Sequence, residues 1–317
     1  MKKKDALLVT LEKSDLIVIV TTAIIVIVTS IYTFFGVGMK MSALEMTRMS
    51  GPISFSSNSD VKMRMMDSES ETLSENRNNA KKMEDMGSSS ESMNGSMKMA
   101  EERNSPFAIW NVFFMFFMWW FMMIAMMTPS ASPTLLLFHN LKKMGPERDV
   151  ATFSTYLFLV GYLTCWGVFS LFACISQVIL EYLGLISGMM MQFKSTKLSS
   201  ALLIVAGAYQ FTPLKNACLE KCRSPIDFLS SNNRKGYGGS LLMGAHHGLF
   251  CLGCCWALMA LLFVGGVMNL FWIIGLALYV AIEKLFKNIY WLDRVLGLLL
   301  IGVGSFLILI KDSEIFL

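Results

Sequence analysis

The residues best suited to chemistry lie in one apolar segment, residues 241–259, which carries two adjacent histidines, three cysteines and two methionines. If the segment is helical, one face within an arc of roughly 80° presents four of them: Met243, His247, Cys251 and Cys254. His246 points away from this face, while Cys255 and Met259 lie at its far edge. Imidazole and thiolate are ligands for copper or zinc. The spacing therefore predicts two thiols and an imidazole that converge on one metal ion. The alternative is a buried histidine bonded to a carbonyl among small packing cysteines.

A second pair of thiols, Cys218 and Cys222, comes shortly before this segment. The two residues are four apart, so they share one face if the chain is helical there. We expect them at the cytoplasmic rim of the protein, where a reducing environment disfavours a structural disulfide. Two thiols at this rim are suited to loading or releasing a soft metal. Cys165 and Cys174, nine residues apart, face opposite sides and are interpreted as packing residues.

Four methionines follow a helical spacing in the segment 107–127. They fall within an arc of roughly 80° and form a ladder about 16 Å long: Met115, Met118, Met122 and Met126. Such a ladder could pass a soft cation along the helix between weak sites. The alternative is ordinary core packing, because methionine fills irregular gaps between helices.

Seven apolar runs supply the elements that would position these side chains. The composition, 54% hydrophobic and 16% charged with a mean hydropathy of +0.54, excludes a soluble globule. The runs approach the roughly 20 residues that cross a bilayer, and they cover residues 16–37, 107–127, 153–180, 198–214, 241–264, 267–282 and 295–310. The sequence therefore predicts an all-α polytopic transmembrane bundle.

Charge sets the expected orientation. With the N-terminus inside, inner segments carry fifteen Lys and Arg against three in the short outer segments. Because positive charge accumulates on the cytoplasmic side, we predict an N-inside, C-outside protein of a prokaryotic plasma membrane, with the lipid bilayer as its first partner. The net charge of +4 is dispersed and does not indicate nucleic acid.

Residues 38–106 differ from the rest because they are rich in Ser, Asn, Glu and Lys and contain twelve of the 26 methionines. They are predicted to be a disordered outer loop between a tail with the first helix, 1–37, and the metal-binding bundle, 107–317. Paired thioethers select Cu(I) without a folded site. The alternative is compositional drift, with methionine as a sink for oxidants.

Several chemistries are not indicated. The sequence has no phosphate-binding glycine loop, nucleophile elbow, HExxH or ATP-pump segment, so we expect no catalytic residues and no enzyme. Glu283 and Lys284, at the end of the sixth run, are expected to pair with each other or to reach the membrane interface.

The thiol segments together resemble a known family. The matching positions are Tyr209, Gln210, Pro213, Leu214, Lys215, Cys218, Cys222, Arg223, Pro225, Gly244, His247, Gly248, Cys251, Cys254, Cys255, Trp256, Met259, Gly266, Met268, Asn269, Glu283 and Lys284. They are similar to the family of predicted metal-binding integral membrane proteins, as is the segment 119–129. The resemblance covers about residues 107–310 and implies metal binding by these cysteines and histidines, without an established reaction. The methionine-rich loop lies outside it.

These observations favour a membrane protein that handles or transports Cu(I), with zinc as the other candidate metal. The outer loop would capture the ion, the methionine ladder and Met189 to Met191 would pass it inward, and the cysteines and His247 would bind it. One rival is an accessory or assembly subunit in a complex with a membrane copper enzyme. A second is a redox protein in which Cys218, Cys222 and Cys251 cycle between thiol and disulfide.

Overall fold

The protein is helical throughout the residues that the computed structural model describes, which are 13–35, 109–146, 148–187, 191–231, 236–286 and 290–313. The helices are α1 (Lys13–Phe35), α2 (Ile109–Met144), α3 (Ala151–Tyr182), α4 (Thr196–Tyr209), α5 (Pro213–Arg223), α6 (Pro225–Ser231), α7 (Gly236–Ala260), α8 (Leu262–Gly265), α9 (Leu270–Leu285) and α10 (Tyr290–Ser313). One isolated bridge, Ile186 to Phe193, is the β pairing found within this part of the chain. The expected all-α class is therefore confirmed.

Five segments are long and apolar enough to cross a membrane. They are Ser14–Phe35, Asn111–Met144, Arg148–Tyr182, Gly236–Gly265 and Trp291–Ile310. The fourth and sixth predicted spans correspond to α4 and α9, with 14 and 16 residues. At 1.5 Å per residue these helices measure about 21 and 24 Å, less than the roughly 30 Å hydrocarbon core. Seven spans and the N-inside orientation stay predictions.

The second predicted span ends at residue 127, but α2 continues to Met144 through Pro129 and Pro133. Ser130 and Ser132 donate to the carbonyl oxygens of residues 127 and 129 and so bond to this stretch of backbone. Beyond the prolines, Leu135 and Phe138 are buried and anchor the extension. The proline signal therefore does not end this helix, because tertiary packing outweighs local propensity. Residues 38–106 and 188–190 lie outside the described residues.

Helices α3 and α7 cross at very short range. A methyl group at Gly244 would lie 1.9 Å from the Phe158 carbonyl oxygen, and one at Gly161 would lie 2.1 Å from that of Leu241. Small residues permit such close backbone approach between helices in a membrane, where van der Waals packing drives association. This crossing places the thiol face of α7 against the aromatic side chains of α3.

Two short connections bring α5 and α9 to the same region. The Thr212 hydroxyl accepts from the backbone N–H of Lys215, and Pro213 occupies the first turn of α5, both of which favour a helix start. Before α9, Gly266 has a φ of 91°, a value that L side chains rarely adopt, and the Asn269 side chain caps the helix. As a result Cys222 and Lys284 face α7.

Candidate metal centre

Five sulfur atoms lie in a continuous buried row, hereafter the sulfur row: Cys222, Cys254, Cys255, Cys251 and Met127. The thiols of Cys222 and Cys254 interact electrostatically, as do those of Cys254 and Cys255 and those of Cys255 and Cys251. The row joins helices α5, α7 and α2. All four thiols are free, so the row is available to a soft metal.

Met127 joins the row at its central thiol, Cys255. Its sulfur lies 3.9 Å from the Cys255 sulfur, and its side chain is fully buried. Two sulfurs bound at about 120° to a metal at about 2.3 Å would lie about 4 Å apart. The Cys255 and Met127 pair therefore has the spacing of two ligands to one ion. Helical spacing places Met126, but not Met127, in the predicted methionine ladder of α2. In the sequence, the only indication of a role for Met127 is that it directly follows Met126.

Cys251 has two further polar neighbours. Lys284 Nζ on α9 donates to the Cys251 sulfur over 2.8 Å, and the Tyr162 hydroxyl lies 3.1 Å from the same atom. Both side chains are buried. An ammonium group in such a position stabilises a thiolate. Neither contact could be read from the sequence, because both depend on how α3 and α9 pack against α7.

His247 lies one helical turn before Cys251 on the same buried face of α7. Its ring stacks on Tyr162 with centroids 5.9 Å apart. Its Nδ1 atom is buried and has no hydrogen-bond partner among the described residues. Such an orphaned nitrogen is unfavourable by about 1–3 kcal/mol unless a ligand or ion satisfies it. His246 instead packs against Phe250.

The four thiols do not form a closed coordination sphere. Within the described ranges, no three His, Cys, Asp or Glu side chains could together hold a metal ion. That two thiols and an imidazole bind one ion stays a prediction. Within the helix itself, the Cys254 and Cys255 thiols donate to the Cys251 carbonyl oxygen at 3.0 and 2.8 Å. These local bonds hold the sulfurs in a row.

The remaining predicted ligands separate into two groups. Met118, Met122, Met126 and Met243 are buried, whereas Met115 is only partly buried. Cys218 is only half-buried, and its sulfur lies beside Gly253 of α7, where a methyl group would lie 2.7 Å from it. Of the predicted rim pair, Cys222 is the buried member, and Cys218 interacts electrostatically with Cys254 from the edge of the row. That each of these residues binds metal stays a prediction.

The thiols of α5 have altered acidity. The hydrogen bond with Cys254, together with burial, raises the pKa of the Cys222 thiol well above its usual range. Burial also raises the pKa of Cys218. Removal from water disfavours the charged thiolate, so both groups are protonated near neutral pH. The other two cysteines, Cys165 and Cys174, donate to the carbonyl oxygens of Ala245 and Val112.

A buried ion network lies beside the sulfur row. Lys215 Nζ is 2.5 Å from Glu283 and 3.4 Å from Asp293, and it also donates to Gln210. Arg223 contacts Asp293 at 3.6 Å. The expectation that Glu283 and Lys284 pair or reach the interface is therefore wrong. Successive residues on a helix point about 100° apart, so Glu283 faces Lys215 while Lys284 faces Cys251.

Comparison with known proteins adds a family to this geometry. No curated protein and no solved structure gives a significant match to the chain. The model of one family, PpoB2, described as a copper chaperone, matches residues 116–307. The matched range includes the whole sulfur row, His247 and Lys284, and it excludes Met115 and residues 38–106. The match extends over more than half of the sequence, so the chain belongs to the PpoB2 copper chaperone family.

Proposed function

We propose that this protein is a membrane-embedded copper chaperone that holds Cu(I) in the sulfur row and passes it to an acceptor protein. The observation that carries the proposal is the row itself, with four free thiols and one thioether in contact and removed from water. Thiolate and thioether sulfur select Cu(I) over hard cations. The family description agrees with copper as the cargo.

Cys251, Cys255 and Met127 form the most suitable first binding point. They lie at the junction of α7 and α2, and Cys251 already accepts a hydrogen bond from Lys284. A bound ion would need the Cys255 thiol to leave the Cys251 carbonyl, which requires only a side-chain rotation. His247, with its unpartnered Nδ1, is the nearest nitrogen donor on the same face.

The methionine ladder supports a route to this point from the N-terminal end of α2. Met118, Met122 and Met126 are buried along the helix, and the next residue, Met127, belongs to the row. Residues 38–106, which precede α2 in the chain, would capture Cu(I) outside the membrane. At the other end, a cavity of about 610 Å³ is lined by Leu219 and Arg223 of α5, the helix that carries Cys222. Cu(I) would leave the row through this cavity.

The proposal predicts that substituting Cys251 and Cys255 together with serine abolishes tight copper binding. Purified protein in detergent, under reducing and oxygen-free conditions, would compete with a chromophoric Cu(I) chelator. We expect a loss of about 100-fold or more in affinity, equivalent to about 2.7 kcal/mol, because two of three soft ligands are removed. Elemental analysis of copper and zinc in the same samples identifies the metal.

The matched control is the double serine variant of Cys165 and Cys174, whose thiols donate to backbone carbonyl oxygens and not to a sulfur of the row. It removes the same two atoms and should bind Cu(I) like the wild type. Equal affinity of all three proteins would overturn the metal role of the row. A wild type that holds no copper but forms a reversible Cys222–Cys254 disulfide would favour the thiol redox function instead.

A single substitution tests the thioether. Met127→Leu keeps the volume and removes the sulfur, so we expect about a tenfold loss of Cu(I) affinity with little change in thermal stability. Met123→Leu, at another fully buried position of the same helix, is the control. If Met126→Leu weakens binding and Met127→Leu does not, the ligand belongs to the ladder and the assignment of Met127 is wrong.

A further inference from the structure

Lys284 occupies an unusual position for a lysine at the end of a short apolar helix. It is 7% exposed, and its ammonium group donates to the Cys251 sulfur at 2.8 Å. The neighbouring Glu283 does not compensate its charge, because that carboxylate is paired with Lys215. The ammonium therefore points into the sulfur row and away from the ion network.

The groups that interact electrostatically with Lys284 include four thiols, those of Cys251, Cys254, Cys255 and Cys222. The Tyr162 hydroxyl and the His247 ring interact with it as well. In the described part of the chain, Lys284 forms no ion pair with a carboxylate. A buried charge without a partner of opposite charge is strongly unfavourable. The stable arrangement of this lysine consequently requires an anion at the sulfur row. Cys251, which accepts its hydrogen bond, is the group placed to carry that charge.

We propose that Lys284 is the fixed counter-charge that makes the sulfur row select a monovalent over a divalent metal ion. This inference rests on the proposed function and adds the basis of its specificity. Binding of Cu(I) by Cys255 breaks its S–H bond and releases the proton to water. With one Cu(I), the thiolates of Cys251 and Cys255 and the ammonium of Lys284, the charges then sum to zero. The thioether of Met127 and a neutral His247 leave that sum unchanged.

A divalent ion in the same place gives a different balance. Zn(II) with two thiolates is already neutral, so the nearby ammonium leaves one uncompensated positive charge in a buried site. Because such a charge is unfavourable in a low-dielectric environment, the lysine opposes Zn(II) while it supports Cu(I). Soft sulfur donors alone bind both metals. Lys284 acts on the metal through its charge, and it is therefore a specificity-determining residue and not a ligand.

The test compares the dissociation constants of Cu(I) and Zn(II) in Lys284→Met, Lys284→Gln and Lys284→Arg, each measured by competition with a chromophoric chelator. The Met and Gln variants remove the charge, and Gln also keeps a hydrogen-bond donor. We expect the preference for Cu(I) over Zn(II) to fall about tenfold or more in both, through weaker Cu(I) and stronger Zn(II) binding. Arginine retains the charge and should restore most of the preference.

Lys221→Met is the matched control, because it removes one positive charge from an exposed position on α5. A purely structural role of Lys284 would weaken both metals together and would leave their ratio unchanged. An unchanged ratio in the Met and Gln variants, with tight Cu(I) binding by the wild type, overturns the inference and leaves the proposed function intact. A wild type that binds no Cu(I) overturns both. If the Met variant is not monodisperse, the Gln variant decides.

Discussion

Replacing Lys215 with methionine is expected to destabilise the protein by about 3–5 kcal/mol, since it leaves a buried charge without its partner. The lysine is fully buried and is the cation shared by Glu283 and Asp293, at 2.5 and 3.4 Å. Without it, Arg223 is left as the cation in contact with Asp293, and Glu283 loses its ion pair in the described structure. Thermal unfolding in detergent, followed by tryptophan fluorescence, would measure the loss.

A second substitution separates charge from packing. The double variant Lys215→Met with Glu283→Gln restores neutrality and should recover a large part of the lost stability, because the two residues are in direct contact. Lys221→Met, on the exposed side of the same helix, should leave the unfolding temperature nearly unchanged. If the double variant is no more stable than the single one, the network does not act through its charges.

The same substitution should affect copper binding. The ion pair between Lys215 and Glu283 joins α5 to α9. Both helices reach the sulfur row, α5 through Cys222 and α9 through Lys284. We expect the Lys215→Met variant to lose Cu(I) affinity together with stability. The charge-neutral double variant should recover both. These results would show that the ion network positions the row without providing a ligand.

Hydrophobic runs predict most of the helices. The segments 16–37, 153–180 and 295–310 coincide, within a few residues at each end, with helices α1, α3 and α10. Long apolar runs without internal breakers leave the backbone few alternatives in a membrane. The apolar run 107–127 ends before Pro129 and Pro133, whereas helix α2 continues through both prolines. What keeps α2 intact is its packing beyond the prolines, which no local pattern reports.

Helical periodicity predicts which side of one helix is buried. Met243, His247, Cys251 and Cys254, placed on one face of α7 by their spacing, are all buried in the fold. The wheel put Cys255 at the edge, yet this residue lies at the centre of the sulfur row and contacts Met127. The periodicity of one helix predicts which of its own side chains share a face. It does not predict which side chains of the neighbouring helices contact that face.

The residues missed by sequence reasoning come from those neighbours. Tyr162 and Met127 lie on α3 and α2, and Lys284 lies on α9, and each reaches the row through tertiary packing. A lysine at the end of an apolar run is commonly found at the membrane interface. Its burial against a thiol depends on how α9 packs against α7, which hydropathy does not encode. The contact of the charged Lys284 side chain with the thiols was therefore the feature of the site that the sequence predicted least well.

Gly244→Ala is expected to have the largest effect on folding, because its methyl group would lie 1.9 Å from the backbone oxygen of Phe158. A backbone atom cannot rotate away, so helices α3 and α7 must separate along their shared interface. Losses above about 4 kcal/mol are exceptional and arise from this kind of core overpacking. We expect little folded protein, measured as the monodisperse fraction in size-exclusion chromatography and as the thermal unfolding temperature.

Gly275→Ala provides the matched control, since a methyl group on this glycine of α9 would contact no atom of the described structure within 4 Å. In a helix, alanine is favoured over glycine by about 1 kcal/mol, so this variant should be as stable as the wild type or slightly more stable. The close crossing also sets the site, because it holds the Tyr162 hydroxyl 3.1 Å from the Cys251 sulfur. Any folded Gly244→Ala protein should accordingly bind Cu(I) more weakly. If it instead matched the control in both stability and affinity, the α3–α7 contact would not determine the geometry of the sulfur row.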